Sequence, residues 1–332
     1  MAAPAPKSNH VKKVQPSQAA PPENDWWVEV VDDRSQLHRH ALAWQSLAEN
    51  AAEPNAFYEP WLFLPGAGHF EPETPLACVF VYRRPVHQND SPRLCGVFPF
   101  ERRRRFRGLP ISSLRLWEPA FVLSTPLIHR DFVREVFRQL FDWASGEDGC
   151  SLIEMPMIHG EGPLYQALVD VLNERRMQSF VDEVFNRAFI RRAKDAASYC
   201  SNAMDKETLR NYRRLRRRLA EHGTLEFRTL QPDGDVDIWT EQFIALEAAG
   251  WKGREQTAIG AIGSSQAIFR EAGRNGHALG KLQMLGLFVN DRPIALKCNY
   301  LTGNGGFTYK IAYDESFAKF SPGVLLELDN IE

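Results

Sequence analysis

Apolar positions change their spacing repeatedly along this chain, and each spacing predicts an element. WWVEVV, from Trp26, reads as a strand. Ser35 to Asn50 reads as a helix, with Leu37, Leu42, Trp44 and Leu47 supplying much of its apolar face. Three β-rich runs follow, Leu76 to Arg83, Arg93 to Arg102 and Ile111 to Trp117, and the polar or Gly/Pro segments between them suit turns of an antiparallel meander. A helix is expected over Asp131 to Ser145, a short strand over Ser151 to Met155, and a helix over Pro163 to Glu174, whose proline suits the first turn. Gln178 to Ile190 reads as an extended run.

The second half starts with a helix over Asp205 to Glu221, closed by Gly223, then a strand over Thr224 to Leu230. Val236 to Ala249 carries Trp239, Phe243 and Leu246 on one helical face and ends at Gly250; a loop, WKGREQTAIGAIG, leads to a polar helix over Ser264 to Asn275. LGKLQMLGLFV, PIALKCNYL and GFTYKIAY form a meander of three strands, joined by Asn290-Asp291 and by Thr302-Gly303-Asn304-Gly305, residues that tolerate φ > 0. A final apolar helix starts where Ser321 can cap and Pro322 fits the first position. Each half thus shows helix, meander, helix, the pattern of a duplicated α/β unit.

Composition narrows the classes. With 332 residues, 44% hydrophobic, the chain can bury a core in two domains. Residues 1 to 25 lack large apolar side chains and read as a disordered leader. Forty Lys plus Arg against 42 Asp plus Glu give a net charge of −2, so no global field draws the protein to nucleic acid or an anionic membrane. No run is long and apolar enough for a spanning helix or a secretory signal, and the chain reads as cytoplasmic. The five cysteines show no CxxC pair, and neither HExxH nor G-x-S-x-G occurs, so metal and hydrolase readings are weak.

The last helix start has a chemistry of its own. Gly323 falls at its second position, where glycine is unfavourable, and a helix N-terminus offers unpaired N–H groups and partial positive charge to an anion. A pyrophosphate cradle is one reading; a well-formed Ser-Pro-Gly helix start is the other.

Two motifs carry a family resemblance: LEAAGWKGREQTAIG (Leu246 to Gly260) and GGFTYKIAYDESFAKFSPGVLLELD (Gly305 to Asp329). Together with LRNYRRLRRRLAEHGTLEF upstream, they resemble the BioF2-like or CelD-like acetyltransferase domain of the GNAT superfamily, close to the FemAB aminoacyltransferases, over Ser201 to Glu332. VFPFERRRRFRGLPISSLRLW in the first half resembles the degenerate N-terminal unit of the tandem FemAB-type arrangement. Two departures stand out: Gln256 replaces a usual glycine, and the chain ends inside a helix that a fifth strand should follow.

The resemblance implies an α/β (α+β) fold of tandem GNAT-like units, each a mixed, mainly antiparallel sheet flanked by helices: residues 26–195 as the degenerate unit and 196–332 as the acyltransferase unit, truncated in its last helix. It implies acetyl-CoA as co-substrate with no metal, N-acyl transfer, and an amino-sugar acceptor, free or nucleotide- or lipid-linked, of an envelope or exopolysaccharide pathway. Thr308 and Ile311 would border the pantetheine arm, and Ser321, Gly323 and Val324 the pyrophosphate.

Among individual residues, Glu247 is a possible base or a helix-end carboxylate, and Lys310 a holder of an anionic acceptor or oxyanion, or a solvated edge lysine. Tyr313 is a thiolate acid or a core aromatic. Trp251, Lys252 and Arg254 suit acceptor binding or a helix-terminating loop. Asp314 can pair with Lys310 or Lys252, and the turn-shaping role is favoured. The arginine-rich helix, and Arg102 to Arg105 at a hairpin tip, bind anions or are solvated faces. The rival functions are FemAB-type transfer from aminoacyl-tRNA and a non-catalytic nucleotide-binding module; nucleic acid is otherwise not an expected partner.

Overall fold

A computed structural model describes residues 25–69, 75–85, 91–118, 122–146, 149–261 and 263–332. The expected leader therefore lies outside the described residues, apart from Asp25. Two sheets organise the rest.

The first sheet is built from β1 (Trp26–Val31), β2 (Leu76–Arg83), β3 (Arg93–Arg103), β4 (Ser113–Leu116), β5 (Leu127–Ile128) and β6 (Leu152–Glu154). Its order is β1-β2-β3-β4-β6, with β5 added on β3. All of its pairings are antiparallel except β4 with β6. β2 and most of β3 are buried on both faces, which is why their apolar runs are nearly continuous. Helices α1 (Ala41–Glu49), α2 (Pro60–His69), α3 (Val133–Gly146) and α4 (Pro163–Glu174) flank it. α3 lays Val136, Phe137, Leu140 and Phe141 into the core.

The second sheet runs β10-β9-β8-β7, antiparallel throughout, from β7 (Leu225–Thr229), β8 (Leu282–Val289), β9 (Arg292–Thr302) and β10 (Gly305–Tyr313). Its helices are α5 (Ala196–Ala203), α6 (Lys206–Ala220), α7 (Val236–Ala249), α8 (Trp251–Arg254), α9 (Gly263–Ala278) and α10 (Pro322–Ile331). Asp205 caps α6 through the Thr208 amide, and Asp235 caps α7 through those of Asp237 and Ile238. α7 covers one face of the sheet, with Phe243 among Met284, Leu296 and Cys298; α10 covers the other, with Leu325 and Leu326 among Leu285 and Leu287.

The halves are packed together. Trp61 of α2 lies on α9 where Gly276 has no side chain, and a Cβ there would stand 2.6 Å from the ring. Buried Glu59 accepts from Trp61 Nε1 at 2.8 Å and, across the junction, from Lys281 Nζ and Thr302 Oγ1.

Several expectations are corrected. Residues Arg34–His40 form a 3-10 turn before α1, and Leu42 is 89% exposed, because it lies two residues, roughly 200°, from buried Trp44 around a helix. α2 lies where no element is expected from the sequence, and the WKGREQTAIGAIG loop contains α8 and a 3-10 turn. Gln178 to Ile190, expected as an extended run, has no regular secondary structure and pairs with no strand among the described residues. Ser321 is left-handed (φ 53°) and makes no side-chain cap: the chain enters α10 from the 3-10 turn Glu315–Phe320, and this backbone turns the hydroxyl away from the helix amides.

Candidate functional site

β10 forms an edge of its sheet, and its register against β9 shifts between Thr308 and Lys310, leaving Tyr309 as an extra residue. The bulge changes which residues face α7. Before it, Phe307 and Tyr309 pack on the α7 side; after it, Lys310 and Ala312 do, while Ile311 and Tyr313 pack towards α10. Tyr309 stacks on Tyr300 (4.9 Å) and its hydroxyl is pushed up by burial. Successive residues Tyr309 and Lys310 thereby reach the same face, which strict alternation forbids.

Lys310 Nζ lies 3.0 Å from Glu247 Oε1, and Lys252 Nζ 3.3 Å from the same oxygen. Glu247 Oε2 accepts the Ile259 amide at 2.7 Å. Lys252 also donates to the Ile311 carbonyl at 3.1 Å, which shows that this carbonyl faces the open edge of β10. Glu247 is buried and the two lysines are partly exposed, so one carboxylate fixes two ammonium groups beside that edge.

The WKGR turn is positioned by packing. Gly253 sits on the Ala248 carbonyl, where a Cβ would be at 1.8 Å, so only glycine fits. Glu315 accepts from the Trp251 amide (2.8 Å) and holds Arg254 through both carboxylate oxygens (2.9 and 3.0 Å). Gln256 adopts φ 56°, the left-handed conformation a glycine takes without strain, so the loop keeps its shape despite the substitution.

Asp314 serves the turn: it accepts from the Ser316 amide and hydroxyl and pairs with Arg292, not with Lys310 or Lys252. Burial raises its carboxyl, but the Ser316 hydrogen bonds and Arg292 outweigh this and hold it below the usual carboxylate range. A cleft of about 510 Å³ opens here, lined by Leu246, Gly250, Arg292, Tyr313 and Asp314.

At α10 the Ser321 amide bonds back to Ala318, Pro322 has no N–H, and no side chain caps the helix, so Gly323 and Val324 present the open amides of the first turn. A Cβ on Gly323 would meet only ordinary contacts, Ile311 at 3.5 Å and Tyr313 at 3.8 Å. Neither packing nor a positive φ requires this glycine, and its effect is to leave the helix end open to close approach.

Residues 206–332 match the family model described as acetyltransferase (GNAT) domain. That segment is thus similar to a GNAT acetyltransferase domain. Among curated proteins no sequence relative is found. Solved structures similar to the chain include a conserved protein of unknown function from Bacteroides thetaiotaomicron VPI-5482. It is 13% identical, with a TM-score of 0.48, over 92% of this chain and 87% of that one. A tandem GNAT protein from the clavulanic acid biosynthesis pathway, without AcCoA, is 12% identical, with a TM-score of 0.32, over 92% and 84%.

Within residues 206–332 the structure joins Glu247, Lys252, Lys310 and Ile311 in one network, and a Cβ on Gly323 would lie 3.5 Å from the Ile311 side chain. Tyr313 stands on the opposite face from Lys310, beside Gly323. Thr308 lies before the bulge, opposite Asn299. Sequence reading missed the Tyr309 bulge and the Glu315 clamp, neither of which has a one-dimensional signal. The arginine-rich α6 buries Leu215 and Leu219 and pairs Arg216 with Asp329; Arg102 pairs with Asp32 and Arg103 with Glu101. No helix among the described residues is long and apolar enough to cross a membrane.

Proposed function

We propose that the protein is an acyl-CoA-dependent N-acyltransferase that moves an acetyl group to the amine of an amino sugar, free or nucleotide- or lipid-linked, for envelope or exopolysaccharide assembly. Residues 26–195 serve as a supporting unit and 196–332 as the catalytic one. The observation that carries the reading is the α10 start. Two open amides and a glycine with no internal cause adjoin the uncovered edge of a bulged strand, inside a GNAT domain.

Acetyl-CoA brings a thioester whose acyl carbon takes the acceptor nitrogen as the C–S bond breaks, and the amine's proton passes through water to the departing sulfur, so that CoA leaves as the thiol. Gly323 and Val324 hold the pyrophosphate, and the Thr308–Ile311 edge aligns the pantetheine arm. Lys310, at the bulge, faces the developing oxyanion. Both Glu247 oxygens are engaged by this chain's own donors, which fits a positioning role for it better than direct proton abstraction. Tyr313, beside the phosphate end, contacts the arm and not the sulfur. Trp251, Lys252 and Arg254 border the acceptor.

Calorimetric titration with acetyl-CoA tests the site, and release of the CoA thiol with a panel of amino sugars tests the acceptor class. Lys310→Ala is expected to lower turnover with acetyl-CoA affinity retained. Absence of acetyl-CoA binding overturns the reading, and activity that requires aminoacyl-tRNA and is lost on ribonuclease treatment replaces it with the FemAB-type one.

A further inference from the structure

The longest run of exposed apolar side chains among the described residues lies outside the site just described. Residues 176–195 are all exposed, and Met177, Phe180, Val181, Val184, Phe185, Phe189 and Ile190 supply half of the large hydrophobic side chains exposed among the described residues. Among the described residues no backbone–backbone hydrogen bond joins residues 178–194 to another segment. The segment is nevertheless anchored in place, because Arg107 grips Asp182 through both carboxylate oxygens at 2.6 and 2.7 Å. Arg107 belongs to the β3–β4 hairpin tip, Arg104 to Leu109, in which Leu109 is also 57% exposed. Tip and segment therefore form one face.

Two patterns on that face identify its partner. The first is the spacing of the apolar residues. Met177, Phe180, Val181, Val184, Phe185, Ala188 and Phe189 fall at i, i+3, i+4, i+7, i+8, i+11 and i+12. As a helix the segment gathers these seven on one side, with Asp182, Glu183, Asn186, Arg187 and the terminal Ile190 on the other; as a strand it splits each adjacent apolar pair between two faces. An added strand on a partner's sheet would thus leave half of them in water. The second is charge. Residues 104–109 and 177–194 contain seven Arg and Lys against two Asp and Glu, in a chain whose net charge is −2. Arg191 and Arg192 directly follow the apolar run, and Arg191 lies over the Phe189 ring at 5.6 Å. Basic residues beside an amphipathic stripe rich in Phe and Val are the composition that binds an anionic lipid interface.

We propose that residues 177–190 fold into an interfacial helix on an anionic lipid surface, with Arg104, Arg105, Arg191, Arg192 and Lys194 contacting the headgroup phosphates. This leaves the GNAT domain free to work beside the membrane, and it does not depend on the acceptor assigned above.

The test is co-sedimentation of the full chain with vesicles of phosphatidylcholine alone and mixed with phosphatidylglycerol, together with circular dichroism. The expected result is binding at least about tenfold stronger to the anionic vesicles, weakened by salt, with a gain in helix signal. Phe180→Ser combined with Phe185→Ser and Phe189→Ser, and separately Arg191→Glu with Arg192→Glu, should each return binding to the neutral-vesicle level. All five side chains are exposed, so an unchanged thermal melt serves as the folding control. The proposal is overturned if the parent chain ignores anionic vesicles or if the apolar variants bind as well as the parent. It is equally overturned if light scattering finds a dimer that the Phe variants dissociate, since a second copy then covers the face.

Discussion

The two sheets begin alike and end differently. In each, three successive antiparallel strands lead towards a helix: β2-β3-β4, with the two-residue β5 before α3, and β8-β9-β10 before α10. After α3 the first half returns a parallel strand, β6, which pairs with β4 through Ser113–Leu152, Leu114–Ile153 and Arg115–Glu154 and closes the edge. The first turn of α3 carries Glu135, and its arginines are drawn to α4, Arg134 to Asp170 at 3.2 Å and Arg138 to Glu174 at 2.8 Å. Among the described residues no strand pairs with the outer edge of β10, whose Ile311 carbonyl accepts from Lys252, and the first turn of α10 has no acid and one glycine. A helix following a strand does not by itself make an anion site. An open edge, and a first turn free of negative charge and side-chain bulk, distinguish the second half from the first, and the proposed pyrophosphate site rests on that difference.

The largest effect should come from the carboxylate that holds the open edge. Glu247→Ala strips two ammonium groups and the Ile259 amide of their acceptor and is expected to cost about 3 kcal/mol of stability in urea unfolding. A loss below 1 kcal/mol, roughly the worth of a surface pair, would mean that Glu247 does not organise the edge. The contrast between the two helix starts is tested next. Gly323→Asp should weaken acetyl-CoA binding by roughly 30-fold, about 2 kcal/mol, while Glu135→Gly in the first half should change nothing. Equal effects at both positions would erase the distinction between the halves.

Smaller changes sharpen the picture. Gln256→Gly should raise stability by about 1 kcal/mol in thermal unfolding, because the left-handed conformation at φ 56° strains glutamine and not glycine. For Asp314 the folded-state pKa is depressed, so its contribution is present above the ordinary carboxylate range and lost as pH falls through the depressed value. Asp314→Asn should therefore cost roughly 0.5 kcal/mol at neutral pH, discounted for the solvent-exposed Arg292, and nothing in strong acid. A stability difference that persists in acid would assign the effect to packing.

Much of this was legible in one dimension where a pattern repeats locally. The helices Pro163–Glu174 and Val236–Ala249 and the strand Leu76–Arg83 match their expected bounds, since caps, proline and an apolar stripe all agree. Leu42 is exposed because it lies roughly 200° from Trp44 on the same helix, and α2 forms because burial of Trp61 and Phe63 offsets the cost of Pro65 and Gly66. At the site, the choice of Lys310, Glu247 and Lys252 came from motif and residue type, but their convergence on one oxygen could not be read from positions 5 and 63 residues apart.

The sequence by itself determined the order of helices and strands, the meander leading into a Pro-Gly helix start and the GNAT resemblance, because these depend on periodicities and on backbone preferences that act between near neighbours. Only the tertiary structure decided that Tyr309 bulges and turns Lys310 towards Glu247, that Glu315 clamps Arg254, and that Trp61 seats against Gly276. Those outcomes depend on contacts between segments distant in the chain, where a close approach or a shared carboxylate selects one geometry among many that local preference allows.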